Sequence, residues 1–353
     1  MSLNKLLKNK LIIFLLAILA FAIVGFIYIR FFYQPSENNG KNVVYTFEGL
    51  SHPFVSRLNG LPVTSAEEIA PQVLGVMIDN HPAARPQSGL NEARIVYEAP
   101  AEGGITRYLA IFGVTDTAER VGPVRSARPY YLDWLGEYGD GLYLHCGGSP
   151  EALRRIEAEN IFDANEFYWG PYYWRASGLD APHNLFTSSE KWQLLYNRYS
   201  AKHPLREWAG WKFGDPPPSS TSTEYLSQIK IPYGADYVVT WKYDAVSGMY
   251  ERYINDRLHI DSNGQAIKAK NVIVQWSGVN ILDNVGRREI DTTGPGEAKV
   301  FRDGLGIEAE WRKITAENRT RFYDKKTGAE LSLAPGKIWI EIAPTTLVLE
   351  VAN

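Results

Sequence analysis

The residues best placed to do chemistry fall in one block, Gly122-Pro123-Val124-Arg125-Ser126-Ala127-Arg128-Pro129, which sets two guanidiniums immediately ahead of a proline. Proline favours the first turn of a helix, read here to Tyr138 with Gly139 ending it, so Arg125 and Arg128 stand just before a helix N-terminus. Free N–H groups and the helix dipole attract anions there, and guanidiniums grip phosphate or carboxylate bidentately. The alternative is a solvated face on which both arginines pair with Asp133 or Glu137.

Further candidates lie close by in sequence. Asp79 ends the apolar run Val73–Ile78 ahead of Asn80-His81-Pro82, a pattern that either delivers an acid to the rim of a sheet or lets Asp79 cap its own turn. Arg85 follows in the next turn. Glu102-Gly103-Gly104 opens a strand in which Arg107 shares the face of Ile105 and Leu109; a charge there either meets a ligand or pairs with Glu98 or Glu102. Gly147-Gly148-Ser149-Pro150 turns the strand Leu142–Cys146 into a helix over 152–159, which makes a second anion cradle or simply an N-cap at Ser149. His183 becomes a general acid or base if the chain returns it to the rim. The catalytic candidates are therefore Asp79, Glu102 and His183, with Asp79 or Glu102 as base or metal ligand. The ligand-binding candidates are Arg85, Arg107, Arg125, Arg128, Gly148 and Ser149.

Several other chemistries drop out. His145 and Cys146 are strand neighbours and point to opposite faces, so they form no dyad. None of the six histidines forms a pair at zinc-ligand spacing. Asp261-Ser262-Asn263-Gly264 lacks the later ligands of a calcium loop and reads as a hairpin turn. A net charge of −3 gives no field for nucleic acid, and one cysteine excludes an internal disulfide.

These residues need a scaffold. Strands at Val73–Ile78, Ile95–Tyr97, Ile105–Phe112 and Leu142–Cys146, with the helices already named and a capping-box helix from Thr187 to Tyr199, predict an α/β domain over residues 72–214. A run of three prolines followed by five Ser/Thr residues marks 215–224 as a linker. Beyond it, short β-branched and aromatic runs separated by Ser-Gly, Asn-Gly, Asp-Gly and Pro-Gly turns predict a mainly antiparallel β domain over 225–353. Phe167-Tyr168-Trp169 and Tyr172-Tyr173-Trp174 could stack on sugar rings, lid the site, or pack beneath a loop.

The N-terminus supplies an address. Leu11–Ile29 is an apolar segment of 19 residues behind Lys5, Lys8 and Lys10, long enough at about 1.5 Å per residue to span a bilayer of about 30 Å. The lysines keep the N-terminus in the cytoplasm. Residues 1–33 are thus a stub and single-pass anchor, uncleaved because signal peptidase sites follow the apolar core, and 34–71 a spacer, with a short strand at Val43–Phe47.

The ordered blocks MIDNHPAARPQSGL, VYEAPAEGGITRYLAIF, VGPVRSARPYYLDW, LHCGGSPEAL and PHNLFTS resemble the YerB-like bacterial envelope proteins that carry domain of unknown function 3048. The resemblance covers nearly all the chain after the apolar segment, and it implies a cell-envelope protein working outside the cytoplasm. Many relatives are lipoproteins, whereas this chain has no cysteine just after its apolar run. The order of Asp79, Arg85, Pro123-Val124-Arg125 and Gly147-Gly148 is also similar to the LytR-CpsA-Psr phosphotransferases. That similarity implies a polyprenyl pyrophosphate held by arginines, with magnesium, although Ser126 stands where that family has an acid. The expected function is recognition, with transfer or hydrolysis as an extension, of a phosphate-bearing or acidic cell-wall glycan; the alternative is a non-catalytic scaffold for wall enzymes.

Overall fold

Near-continuous apolar runs, buried on both sides and flanked by turns, build the centre of the molecule. The structure is a computed structural model, and it describes residues 54–204, 206–215 and 226–353. In chain order its principal elements are β1 (Val73–Ile78), β2 (Ile95–Pro100), β3 (Thr106–Gly113), α1 (Pro129–Gly136), β4 (Leu142–His145), α2 (Pro150–Ala158), β5 (Asp163–Asn165) and α3 (Ser189–Tyr199). After residue 226 come β6 (Gln228–Gly234), β7 (Tyr237–Asp244), β8 (Met249–Ile254), β9 (Asn271–Ser277), β10 (Gly294–Arg302), β11 (Leu305–Lys313), β12 (Arg321–Asp324) and β13 (Ile338–Pro344).

Ten of these strands form one mixed sheet in the order β12-β11-β10-β9-β13-β2-β3-β1-β4-β5. It runs through both halves of the chain, because β13 inserts between β9 and β2 and pairs with each of them in parallel. The C-terminal half is therefore less purely antiparallel than its hairpin turns predict, and the protein is mostly β with few helices.

Period-two alternation splits the core between the two faces of the sheet. Leu74, Val76 and Ile78 of β1 join Tyr108, Ala110 and Phe112 of β3 on one face, covered by Trp192 and Leu195 of α3 and by Trp241 and Tyr250 of the second sheet, built around β6, β7 and β8. Val73 and Met77 join Leu109 and Ile111 on the other face, covered by Tyr131, Trp134 and Leu135 of α1 and by Ala152 and Ile156 of α2. Residues 54–71, read as part of a spacer, lie against this body: Leu58 is fully buried and the Arg57 N–H donates to the Ile69 carbonyl at 2.7 Å.

The span expected at Leu11–Ile29 and the strand at Val43–Phe47 lie outside the described residues, as do residues 216–224 of the expected linker. Among the described residues, no helix is long and apolar enough to cross a membrane.

Candidate functional site

The parallel neighbours β1 and β4 end at the same rim, and β3, antiparallel to β1, begins there. Segment 123–127 threads across that rim. The Asp79 N–H donates to the Pro123 carbonyl (2.9 Å), Arg125 N–H to Met77 (2.9 Å), Cys146 N–H to Arg125 (3.1 Å) and Ala127 N–H to Gly147 (3.0 Å). The thread can pass only because residue 122 is glycine: its φ is 144°, and a Cβ there would stand 2.7 Å from the Leu185 carbonyl oxygen. This weave brings Asp79, Arg107, Arg125, Arg128 and the Gly148-Ser149 turn to one place from four stretches of sequence.

The result is an open groove of about 930 Å³ lined by Glu102, Arg107, Arg125, Ser126, Arg128, Gly148 and Ser149, with His81, Val285 and Arg287. Three of the four arginines expected to bind ligand are here. Arg128 grips Glu102 through Nε (2.6 Å) and a terminal nitrogen (2.8 Å). Arg107, 6 % exposed, donates to the Ser126 carbonyl at 3.1 Å and lies 3.9 Å from Glu102, while its Nε is buried without an acceptor. Burial pulls the Arg107 guanidinium below its usual value, and the charge of Arg128 adds to this. Burial pushes the Glu102 carboxyl up, but the hydrogen bond and charge of Arg128 outweigh it and hold Glu102 low, hence ionised.

Asp79 lies just behind the groove, 1 % exposed. Its Oδ1 accepts the His81 N–H at 3.0 Å; its Oδ2 lies 2.7 Å from His183 Nδ1 and 3.0 Å from Arg125 Nε. The arginine contact is Coulombic, since that N–H does not point along a hydrogen bond. Burial raises the Asp79 carboxyl, but the His81 N–H, Arg125 and His183 together overcome it and keep Asp79 below its ordinary value. An ionised Asp79 fixes the His183 tautomer: Nδ1 donates, and Nε2 makes no hydrogen bond among the described residues. His183 does line up with the rim, yet it is His81, stacked on it at 4.6 Å, that reaches the groove wall.

Other expectations are corrected. Arg85 lies outside the groove: it donates to Asn80 Oδ1 (3.1 Å) and to the Asn80 carbonyl (2.9 Å) and sits over the Tyr237 ring, because its turn folds it back on its own loop. Strand β2 does not stop at Glu98 but continues to Pro100. Glu98 faces away from Arg107, since alternation sends it to the opposite side of the sheet, where it meets Arg252 at 2.7 Å with both side chains fully buried. Asp133 and Glu137 do not neutralise the groove; Asp133 holds Arg155 (2.7 Å) and Glu137 holds Lys313 (2.9 Å). Ser149 caps α2, accepting the Ala152 N–H at 3.3 Å. Among the described residues no three His, Cys, Asp or Glu side chains are grouped to hold a metal ion, and both groove carboxylates are occupied by guanidiniums, so magnesium does not fit this donor set. Cys146 is a half-buried thiol, raised by burial and by Glu166.

The DUF3048 N-terminal domain, described as a protein of unknown function, matches residues 58–202, and the DUF3048 C-terminal domain matches residues 229–340. The chain belongs to the DUF3048 family. It is 34% identical over 282 residues to "Putative lipoprotein YerB" of Bacillus subtilis (strain 168), covering 77% of this chain and 81% of that one. The crystal structure of YerB protein from Bacillus subtilis matches with a TM-score of 0.73 at 30% identity, over 84% of this chain and 99% of that one. The further similarity to LytR-CpsA-Psr phosphotransferases finds no support in these DUF3048 relatives.

Reasoning from sequence missed His81, Val285 and Arg287 as members of the site. His81 carried a signal, standing two residues after the rim aspartate. Val285 and Arg287 carried none, because they come from a hairpin 180 residues downstream of Arg107 in round terms.

Proposed function

We propose that this DUF3048 protein works at the cell envelope, outside the cytoplasm, and binds the phosphate or carboxylate of an acidic wall glycan in the arginine groove. One observation carries this reading: three guanidiniums, Arg107, Arg125 and Arg128, face only two carboxylates, Asp79 and Glu102, so one positive charge is left over in an open cleft. The N-terminus of α2 adds a favourable field at the same wall. A relative named as a lipoprotein supports the location, and the segment Leu11–Ile29 would supply the anchor here. Titration calorimetry with pyrophosphate and with acidic wall fragments tests the reading; equal binding by wild type and Arg125→Ala would overturn it.

Chemistry at the site has its own support. Ionised Asp79 orients His183 so that the unbonded Nε2 can take up or release a proton beside the groove. Hydrolysis of a chromogenic phosphate ester, lost in His183→Gln while pyrophosphate binding persists, is the expected result; no turnover by wild type reduces the protein to a binder. The scaffold reading rests on Phe167 and Tyr168, 69 % and 80 % exposed on a short helical turn, and predicts wall-enzyme capture that is lost in Tyr168→Ser.

A further inference from the structure

Beside the groove stands a hairpin whose surface is unusual for an ordered element. Strands Val279–Ile281 and Arg288–Ile290 pair with Ile281 opposite Arg288, and the turn is closed by Leu282 N–H to Arg287 carbonyl (2.8 Å) and Gly286 N–H to Asp283 carbonyl (2.9 Å). Its backbone is satisfied, yet its tip carries Ile281, Leu282 and Val285 at 63 %, 59 % and 70 % exposure. Three large aliphatic side chains exposed within five residues of one turn have no folding rationale and mark a contact surface.

The charges on this tip are arranged to match. Of the two carboxylates in the hairpin, Glu289 lies back in the second strand, away from the tip, while Asp283 at the turn is held by Arg287 Nε at 2.6 Å, and burial, which would raise it, is outweighed by the Arg287 N–H and charge. Val285 and Arg287 also line the arginine groove, so the apolar tip and the cationic cleft are continuous. At the hairpin's base, Arg288 donates to the Ala101 carbonyl at 3.4 Å, next to Glu102.

An apolar tip beside an anion cleft is the shape of a site for an amphiphile. We infer that the hairpin over 279–290 and the groove together dock on a bilayer surface of phosphate-headed lipid, the headgroup phosphate entering among Arg107, Arg125 and Arg128 while Ile281, Leu282 and Val285 enter the acyl boundary. This rests on the anion-binding reading above and names its ligand as a membrane lipid rather than a soluble anion. Charge complementarity selects the occupant: a protein partner's apolar patch would satisfy the tip but leave the adjoining guanidiniums facing it, whereas an anionic headgroup satisfies both at once.

The test uses the full chain reconstituted in vesicles, read by amide exchange over residues 279–290, which is insensitive to how the N-terminus is held. Exchange is expected to be several-fold slower in vesicles of phosphatidylglycerol with phosphatidylcholine than in phosphatidylcholine alone. The double substitution Leu282→Asp with Val285→Asp, on exposed positions, should abolish the difference, and Arg125→Ala should roughly halve it. Equal exchange in the two lipids would overturn the inference. Binding of inorganic phosphate to the detergent-solubilised chain separates the two levels. Phosphate bound without lipid-dependent protection sinks the lipid docking alone, and absence of both sinks the groove reading with it.

Discussion

Arg252 and Arg128 are each held by a carboxylate, through Glu98 and Glu102, and the two assemblies do different work. Around Glu98 nearly every valence is used: Oε1 accepts Thr106 and Tyr237 hydroxyls, both at 2.6 Å, and Oε2 accepts Arg252 at 2.7 Å and Trp339 Nε1 at 3.2 Å. The other face of Arg252 donates to His259 Nδ1 (2.7 Å), whose Nε2 meets Gln87 at 2.8 Å, and burial together with Arg252 keeps that imidazole neutral. All of this is dry and ties β2 and β3 to β7 and β8. The groove around Glu102 has the same residue types, and like Arg252 its arginines Arg107 and Arg125 each keep an Nε without an acceptor, but it has solvent on one side and three guanidiniums to two carboxylates. Solvent access and one uncompensated positive charge, rather than the presence of arginine or of a spare donor, separate a binding site from a structural joint.

The comparison breaks most readily at the joint. Arg252→Met leaves the Glu98 carboxyl without its guanidinium partner in the core, and should cost about 3–5 kcal/mol in denaturant unfolding. Arg125→Ala should cost far less stability while weakening pyrophosphate binding by about 1.5–3 kcal/mol, roughly ten- to hundredfold. If both substitutions destabilise alike, the groove is a second structural joint. Arg85→Ala sharpens the same contrast: its guanidinium is consumed by Asn80, so pyrophosphate affinity should be unchanged.

How much of this was legible in the sequence follows from the range of the interactions. Strand Val73–Ile78, the helix after Pro129 and the helix before Tyr199 depend on periodicity and caps within a few residues; the strand forms as read, while the first helix stops at Gly136 short of Tyr138 and the second is capped by Ser188 rather than Thr187. The Arg125–Arg128 block was likewise visible, since its residues are close in sequence. The pairing of Asp79 with His183 spans 104 residues and could be only nominated, because nothing local says which rim a loop returns to. The parallel insertion of β13 beside β2 was invisible: Ile338–Ile342 reads as a strand, but its neighbours are chosen by tertiary packing. Arg85 misled for the opposite reason, its guanidinium being satisfied five residues away by Asn80.

Two pH-dependent effects, smaller than those above, separate the joint from the groove by sign. Glu341 sits beside Glu98 in register, and burial, followed by the Glu98 charge, raises its carboxyl well above the ordinary value of 4.5. A group raised on folding stabilises fully below its unfolded value and loses that contribution as pH rises through its folded one. Glu341→Gln keeps an acceptor for Trp241 Nε1, so the variant should gain on wild type as pH rises above about 4.5, by roughly 1 kcal/mol or more. Asp79 has the opposite sign. Its carboxyl is depressed below 3.8 on folding, so its contribution is present above that pH and lost as pH falls through its folded value. Asp79→Asn should therefore be less stable than wild type at neutral pH, by about 1 kcal/mol, with the gap closing only below pH 3.8, a difference that urea titrations at paired pH values would resolve. A gap that instead closed on raising the pH would mean that Asp79 is neutral in the fold, and neither Arg125 nor the His183 tautomer would then be held as the groove requires.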